Sequence, residues 1–139
     1  MIDALIMTVA LNLPKEHEEI PRIGYATSQY KGKWYAPKWE GIRKCIQYHE
    51  SRFNYSSRSK ISSAMGSYQF LDRSWRGSLV YMMLEEQGNR HEIKQLRHKP
   101  ISKWSRYYQD RAFFTVWRHG EGAKHWSLQE SRCFAGGVS

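Results

Sequence analysis

The stretch from Trp39 to Trp75 decides the reading: WEGIRKCIQYHESRFNY at 39–55, SSRSKISSAMG at 56–66 and SYQFLDRSW at 67–75. Trp39, Ile42, Ile46 and Glu50 recur at the spacing of one helix face, so this segment is expected to form a helix whose apolar stripe ends in a carboxylate. Ser51 to Ser67 is crowded with serines and carries few large apolar anchors, which predicts a compact loop with one short β turn at Met65-Gly66-Ser67. Asp72 or Ser74 is placed to cap a second helix through Trp75, Leu79, Met82 and Met83, with Gly88 as its terminator. Beyond it, His91 to His98 reads as short and polar. Pro100 or Ser102 then starts a long amphipathic run through Trp104, Tyr108, Ala112, Phe113, Val116 and Trp117, stopped by Gly120. Glu121 to Ser139, with Trp126 and Cys133, reads as a tail whose end frays. The expected class is mainly α with a small β/loop insertion.

The 139 residues suffice for one domain with its own core. A hydrophobic content of 40% argues against a disordered polyelectrolyte. With 22 Lys+Arg against 13 Asp+Glu, the chain carries a formal charge of +9, together with six Trp and nine Tyr. Basic charge beside stacking rings suits either nucleic acid or a sugar polymer bearing anionic groups. The cations are dispersed and no nucleic-acid motif is present, so no specific nucleic-acid partner is expected.

No apolar run reaches the roughly 20 residues that span a bilayer, so no membrane span is expected. Residues 1–36 are expected to form an irregular N-terminal arm, and residues 37–139 the domain. Within the arm, Met1 to Leu13 lacks a basic start and a small-residue cleavage site, which reads as a short apolar helix rather than an export leader. The two cysteines, Cys45 and Cys133, admit a disulfide, two buried thiols or half of a metal site. Their separation of 88 positions has no zinc-ligand spacing, and the six histidines are scattered. No metal and no cofactor are expected; His49 reads as a surface residue on another helix face than Glu50.

A carboxylate at the end of an apolar helix face, followed by a Ser/Gly-rich loop, has the placement of a glycosidase acid. Partial desolvation would keep it protonated until it meets the glycosidic oxygen. Spacing by itself does not separate this from a solvated helix-end charge. The residues resemble, in addition, the transglycosylase-like domain of the resuscitation-promoting factors and, more distantly, the lysozyme-like lytic transglycosylases. Trp39, Cys45, Glu50-Ser51, Asn54-Tyr55, Gly66, Tyr68-Gln69-Phe70 and Ser74-Trp75 follow the order of that family's pattern. Gln109 to Phe113 and Trp117 to Gly120 look like its closing part, so the resemblance covers Trp39 to Cys133. Arg52-Phe53 stands where small residues are usual, and Tyr68 where leucine is commoner.

The resemblance implies a lysozyme-like α+β domain that cleaves the β-1,4 bond between N-acetylmuramic acid and N-acetylglucosamine of peptidoglycan, as a lytic transglycosylase or a muramidase. It carries the catalytic acid over to Glu50 and the groove-lining amide to Gln69; Tyr68, Tyr55 and Ser51 are the further substrate-binding candidates. Asp72 is the one nearby candidate for a second acid, although a helix cap explains it as well. Such a chain fits a bacteriophage enzyme acting outside the membrane at the cell wall, carried in the virion or released at host lysis, with the N-terminal arm as a contact for other virion proteins. An extracellular setting implies that Cys45 and Cys133 are joined. Two other functions share the composition: a basic nucleic-acid-binding protein, and a non-catalytic wall-binding or structural virion component of the same fold.

Overall fold

The computed structural model describes residues 27–126 and Cys133; the apolar segment at Met1 to Leu13 and most of the C-terminal tail lie outside them. The described part is mainly helical, as the hydrophobic periods predict. Its helices are α1 (Glu40–Ser51), α2 (Asp72–Met83), α3 (Arg90–Gln95) and α4 (Arg106–Trp117). A two-stranded antiparallel hairpin, β1 (Ala64–Met65) and β2 (Phe70–Leu71), sits between α1 and α2, with Ala64 opposite Leu71 and Met65 opposite Phe70. Short 3-10 turns at Pro37–Trp39, Leu96–His98, Ile101–Lys103, Arg118–Gly120 and Ala123–His125 join these elements. No helix among the described residues is long and apolar enough to cross a membrane.

α4 is the centre of the molecule. Every residue from Tyr108 to Trp117 is buried, so the expected amphipathic run is in fact enclosed on all sides. Gln109, Asp110 and Arg111 are buried there because each meets polar partners, a condition that hydrophobic period alone does not reveal. Its start also differs from expectation: Ser105 is the cap, accepting from the Tyr108 N–H at 3.2 Å, while Pro100 leads only into the Ile101–Lys103 turn. Arg118, in the left-handed region at φ 44°, closes the helix before Gly120. Gly122 then returns so tightly that a Cβ there would lie 1.9 Å from the Val116 carbonyl oxygen, which no side chain permits.

Three further expectations change. α2 stops at Met83, ahead of Gly88. Asp72 is the first residue of α2 and makes no cap bond; its carboxylate instead holds Arg76, one turn on, and the Ile101 N–H at 2.8 Å. The body also begins before residue 37. Tyr30 is wholly buried, donates its hydroxyl to Glu86 at 2.7 Å and packs beside Phe114, while the Gln29 N–H reaches Asp110 at 2.9 Å. Aromatic and backbone groups of 27–36 complete the core, so this part of the expected arm belongs to the domain.

α1 packs through Ile42 and Ile46, as its period predicts, but Arg43 and Gln47 are buried with them. Arg43 donates to Glu40 at 2.7 Å, Gln47 at 2.8 Å and the Tyr68 hydroxyl at 2.9 Å, and lies 3.8 Å from Asp110. Asp110 accepts from Tyr55 at 2.6 Å and Tyr68 at 2.5 Å. Burial, followed by the Asp110 charge, pushes the Tyr55 phenol up to about 12 and that of Tyr68 well above its ordinary value, so both remain donors. Removing the carboxylate leaves a buried guanidinium short of one countercharge and two phenols without their acceptor. Asp110→Ala is therefore expected to lose about 3 kcal/mol of stability, the lower end for breaking a buried pair because Glu40 remains on Arg43. Urea unfolding measures it, and a loss under about 1 kcal/mol would contradict the assigned role.

Candidate active site

α1 ends in an unusual way. Arg52 and Phe53 both take left-handed backbone, at φ 55° and 66°, without a glycine at either position. The Arg52 N–H returns to the Tyr48 carbonyl at 2.8 Å, and the chain turns away from the helix axis directly after Glu50 and Ser51. Left-handed backbone costs a non-glycine residue about 1–2 kcal/mol, so surrounding contacts must hold this turn. The Ser51 hydroxyl supplies one: it donates to the Ser67 carbonyl at 2.8 Å and accepts from the Asn54 N–H at 3.1 Å. Gln47 supplies another, its amide donating to the Ser67 hydroxyl at 2.6 Å.

The hairpin is fixed from the opposite side. Gln109 on α4 accepts from the Ser67 N–H at 2.7 Å and donates to the carbonyls of Tyr55, Ile101 and Trp104 at 2.9–3.1 Å. Gly66 sits against it at φ 87°, where a Cβ would lie 2.7 Å from the Gln109 amide oxygen. One buried amide thereby sets the height of the hairpin turn relative to α1. Gln69 follows in the left-handed region at φ 53°, with its side-chain amide donating to the Gly66 carbonyl at 3.0 Å and the Ser57 hydroxyl at 3.3 Å.

Between the end of α1 and the hairpin lies an open cleft of about 400 Å³. Glu50 and Gln69, the two residues that the resemblance singled out, both line it. Ser59, Ile61, Ser62 and Ala64 are contributed to its lining by the serine-rich loop, and Lys124, His125 and Trp126 by the turn after α4. Glu50 is the only carboxylate among these lining residues. Ile61 is 95% exposed at the rim, an apolar side chain with no packing role in the body.

The other expected site residues fall elsewhere. Tyr68 is only 1% exposed and belongs to the core, because its hydroxyl is committed to Asp110 and Arg43. Tyr55 is half-buried with its hydroxyl turned inward to Asp110, and Ser51 braces the hairpin. None of the three lines the cleft. Asp72 faces a separate depression with Arg73, Arg76 and Gly77. Burial pushes its carboxyl up, but the bonds from Arg76 and the Ile101 N–H outweigh this and hold it below the ordinary carboxylate value. It is an ionised ion-pair partner, placed away from Glu50's cleft.

No protein-family model, curated protein or solved structure matches the chain. Lys124, His125 and Trp126 escaped the sequence reading because they lie more than seventy positions from Glu50, in a turn without a period. His125 packs edge-on against Trp75, with ring centroids 4.7 Å apart, and Trp126 donates its indole N–H to the Tyr68 carbonyl at 3.3 Å. Burial first, and then the neighbouring Lys124 charge, lower the His125 pKa from its ordinary value of 6.5. The cleft accordingly holds a neutral imidazole at pH 7.

Below 6.5 the unfolded chain protonates this histidine while the folded one resists, so stability falls as pH drops from 6.5 toward the lowered folded value. His125 should titrate by NMR with a midpoint below 6.5, and Lys124→Gln should raise that midpoint. An unchanged midpoint in the variant would remove Lys124 as a cause.

One further cluster of donor atoms stands out among the described residues. The sulfurs of Cys45 and Cys133 and a ring nitrogen of His49 all lie within 4.8 Å of one another. Cys45 and Cys133 are joined as a disulfide across 88 positions, which decides among the three possibilities left by the sequence.

Proposed function

We propose that this protein is a peptidoglycan-cleaving glycosidase with a lysozyme-like domain and Glu50 as its catalytic acid. The observation that carries the reading is that Glu50, at the end of a helix, is the single carboxylate among the described residues lining the cleft, which Gln69 lines with it. A protonated Glu50 donates to the glycosidic oxygen as the bond to the anomeric carbon breaks. The resulting carboxylate then takes the proton of the muramic acid 6-hydroxyl, whose oxygen closes on the anomeric carbon. This regenerates the acid and leaves a 1,6-anhydro end. An intramolecular hydroxyl has a very high effective concentration, so no second carboxylate is required to activate water. Asp72, in its own ion pair, is unsuited to that task.

Digestion of purified peptidoglycan tests the outcome. The products should carry 1,6-anhydromuramic ends, one water lighter than reducing ends by mass spectrometry. Reducing ends alone would identify a muramidase and require another group to hold the attacking water. The place of action in this reading is the bacterial wall outside the membrane, reached by a phage enzyme carried in the virion or released at lysis. Finding the protein in purified virions would select the first route.

One observation favours a second reading. Arg90, Lys94, Arg97, Lys99, Lys103 and Arg106 are all exposed, with Glu92 the only acid in the same stretch. This basic stretch would bind a nucleic acid by charge alone, or hold a non-catalytic component on an anionic wall. Intact walls after prolonged digestion, together with a salt-sensitive gel shift on DNA, would favour nucleic-acid binding over catalysis.

A further inference from the structure

Cys45 and His49 are one turn apart on α1, the spacing that puts two side chains on the same helix face. Cys133 arrives from 88 positions away and is 1% exposed. Two sulfurs and one imidazole within 4.8 Å make a three-donor set that suits a borderline-soft divalent cation. In a tetrahedral zinc site, bonds of about 2.0–2.3 Å place neighbouring ligand atoms roughly 3.5–3.8 Å apart. Small side-chain rotations separate to this dimension once the two sulfurs are no longer bonded. The disulfide and the metal compete for the same sulfurs, because the thiolate is the ligand form.

We infer that the reduced chain is a zinc-binding protein, with Cys45, His49 and Cys133 as ligands and a fourth position open to water. The site exists in two mutually exclusive forms. A dithiol reductant cleaves the disulfide, receiving its own disulfide bond in exchange and leaving thiols on Cys45 and Cys133. The cation then displaces both thiol protons and takes His49 as a neutral imidazole. A chain made in a reducing compartment would be held in its α1-to-Cys133 connection by metal, and the same connection becomes covalent after oxidation. This inference rests on the donor cluster alone, independently of the role of Glu50.

The test uses the full chain, reduced with a phosphine, desalted without oxygen and titrated with cobalt(II). One equivalent should bind with a thiolate-to-cobalt charge-transfer band and tetrahedral d–d bands, both bleached by one equivalent of zinc. The oxidised chain should show neither band. His49→Ala should weaken cobalt binding about tenfold or more, and Cys45→Ser should diminish the charge-transfer band. The fold of H49A is checked in its oxidised form, where the disulfide remains. If the reduced wild-type chain loses helical circular dichroism, zinc should restore it, and should fail to do so in reduced H49A. Absence of the charge-transfer band in the reduced chain, equal affinity in H49A, or no recovery with zinc would each overturn the inference.

Discussion

Glu50→Gln is expected to abolish wall lysis while leaving the fold intact. The amide matches the acid in size and sits at an open cleft, so packing is preserved. It has no proton of suitable acidity for the leaving oxygen and cannot accept one from the 6-hydroxyl afterwards. Removal of an acid–base group costs about 10²–10⁴ in rate, and loss of both transfers belongs at the upper part of that range. The readout is turbidity loss of a wall suspension, with circular dichroism and the urea midpoint as fold controls. Retention of more than about a tenth of the activity would end the assignment. Asp72→Asn supplies the contrast: it weakens the hold on Arg76 and the Ile101 N–H, so it should move the urea midpoint and leave the cleavage products unchanged.

Cys45→Ala with Cys133→Ala is expected to remove about 4–5 kcal/mol of stability, the chain-entropy value for a closed loop of this size. The bridge spans 88 positions and joins the middle of α1 to a C-terminal residue, so nearly the whole described body lies within the loop. Opening it enlarges the conformational freedom of the unfolded chain, and the loss of two largely covered sulfurs from the packing adds to the effect. The connection also holds the helix that carries Glu50, so the temperature at which lysis is lost should fall in parallel with the urea midpoint. A loss below about 1 kcal/mol would show that residual unfolded-state structure or native strain cancels the constraint. Thiol counting on the denatured, unreduced wild-type protein provides the companion measurement and should find none.

Local chemistry was enough to read α1, the hairpin turn and α2. An apolar stripe at Ile42 and Ile46 must bury itself, a serine-rich segment with Gly66 must turn, and Leu79 and Met83 must face the same side of a helix. Glu50 was legible as a carboxylate ending the apolar stripe of α1, whereas no local pattern singled out Gln69. The resemblance pointed to both residues. What sequence reasoning misplaced were polar groups whose meaning depends on a distant partner. Tyr68 and Tyr55 look like stacking surfaces until Asp110, 42 and 55 positions away, takes their hydroxyls. Asp72 looks like a cap until the Ile101 N–H arrives at its carboxylate.

The sequence by itself determined a mainly helical chain, one carboxylate at the end of its first described helix, and a net charge of +9. Those follow from local periodicity and composition, which need no partner. Only the tertiary structure decided that α4 is enclosed on every side, that Lys124, His125 and Trp126 wall the cleft, and that Cys45, His49 and Cys133 converge. The physical reason is that burial of a polar or ionisable side chain requires a compensating group close in space. That group comes from wherever the chain happens to pass, at a separation the sequence does not record.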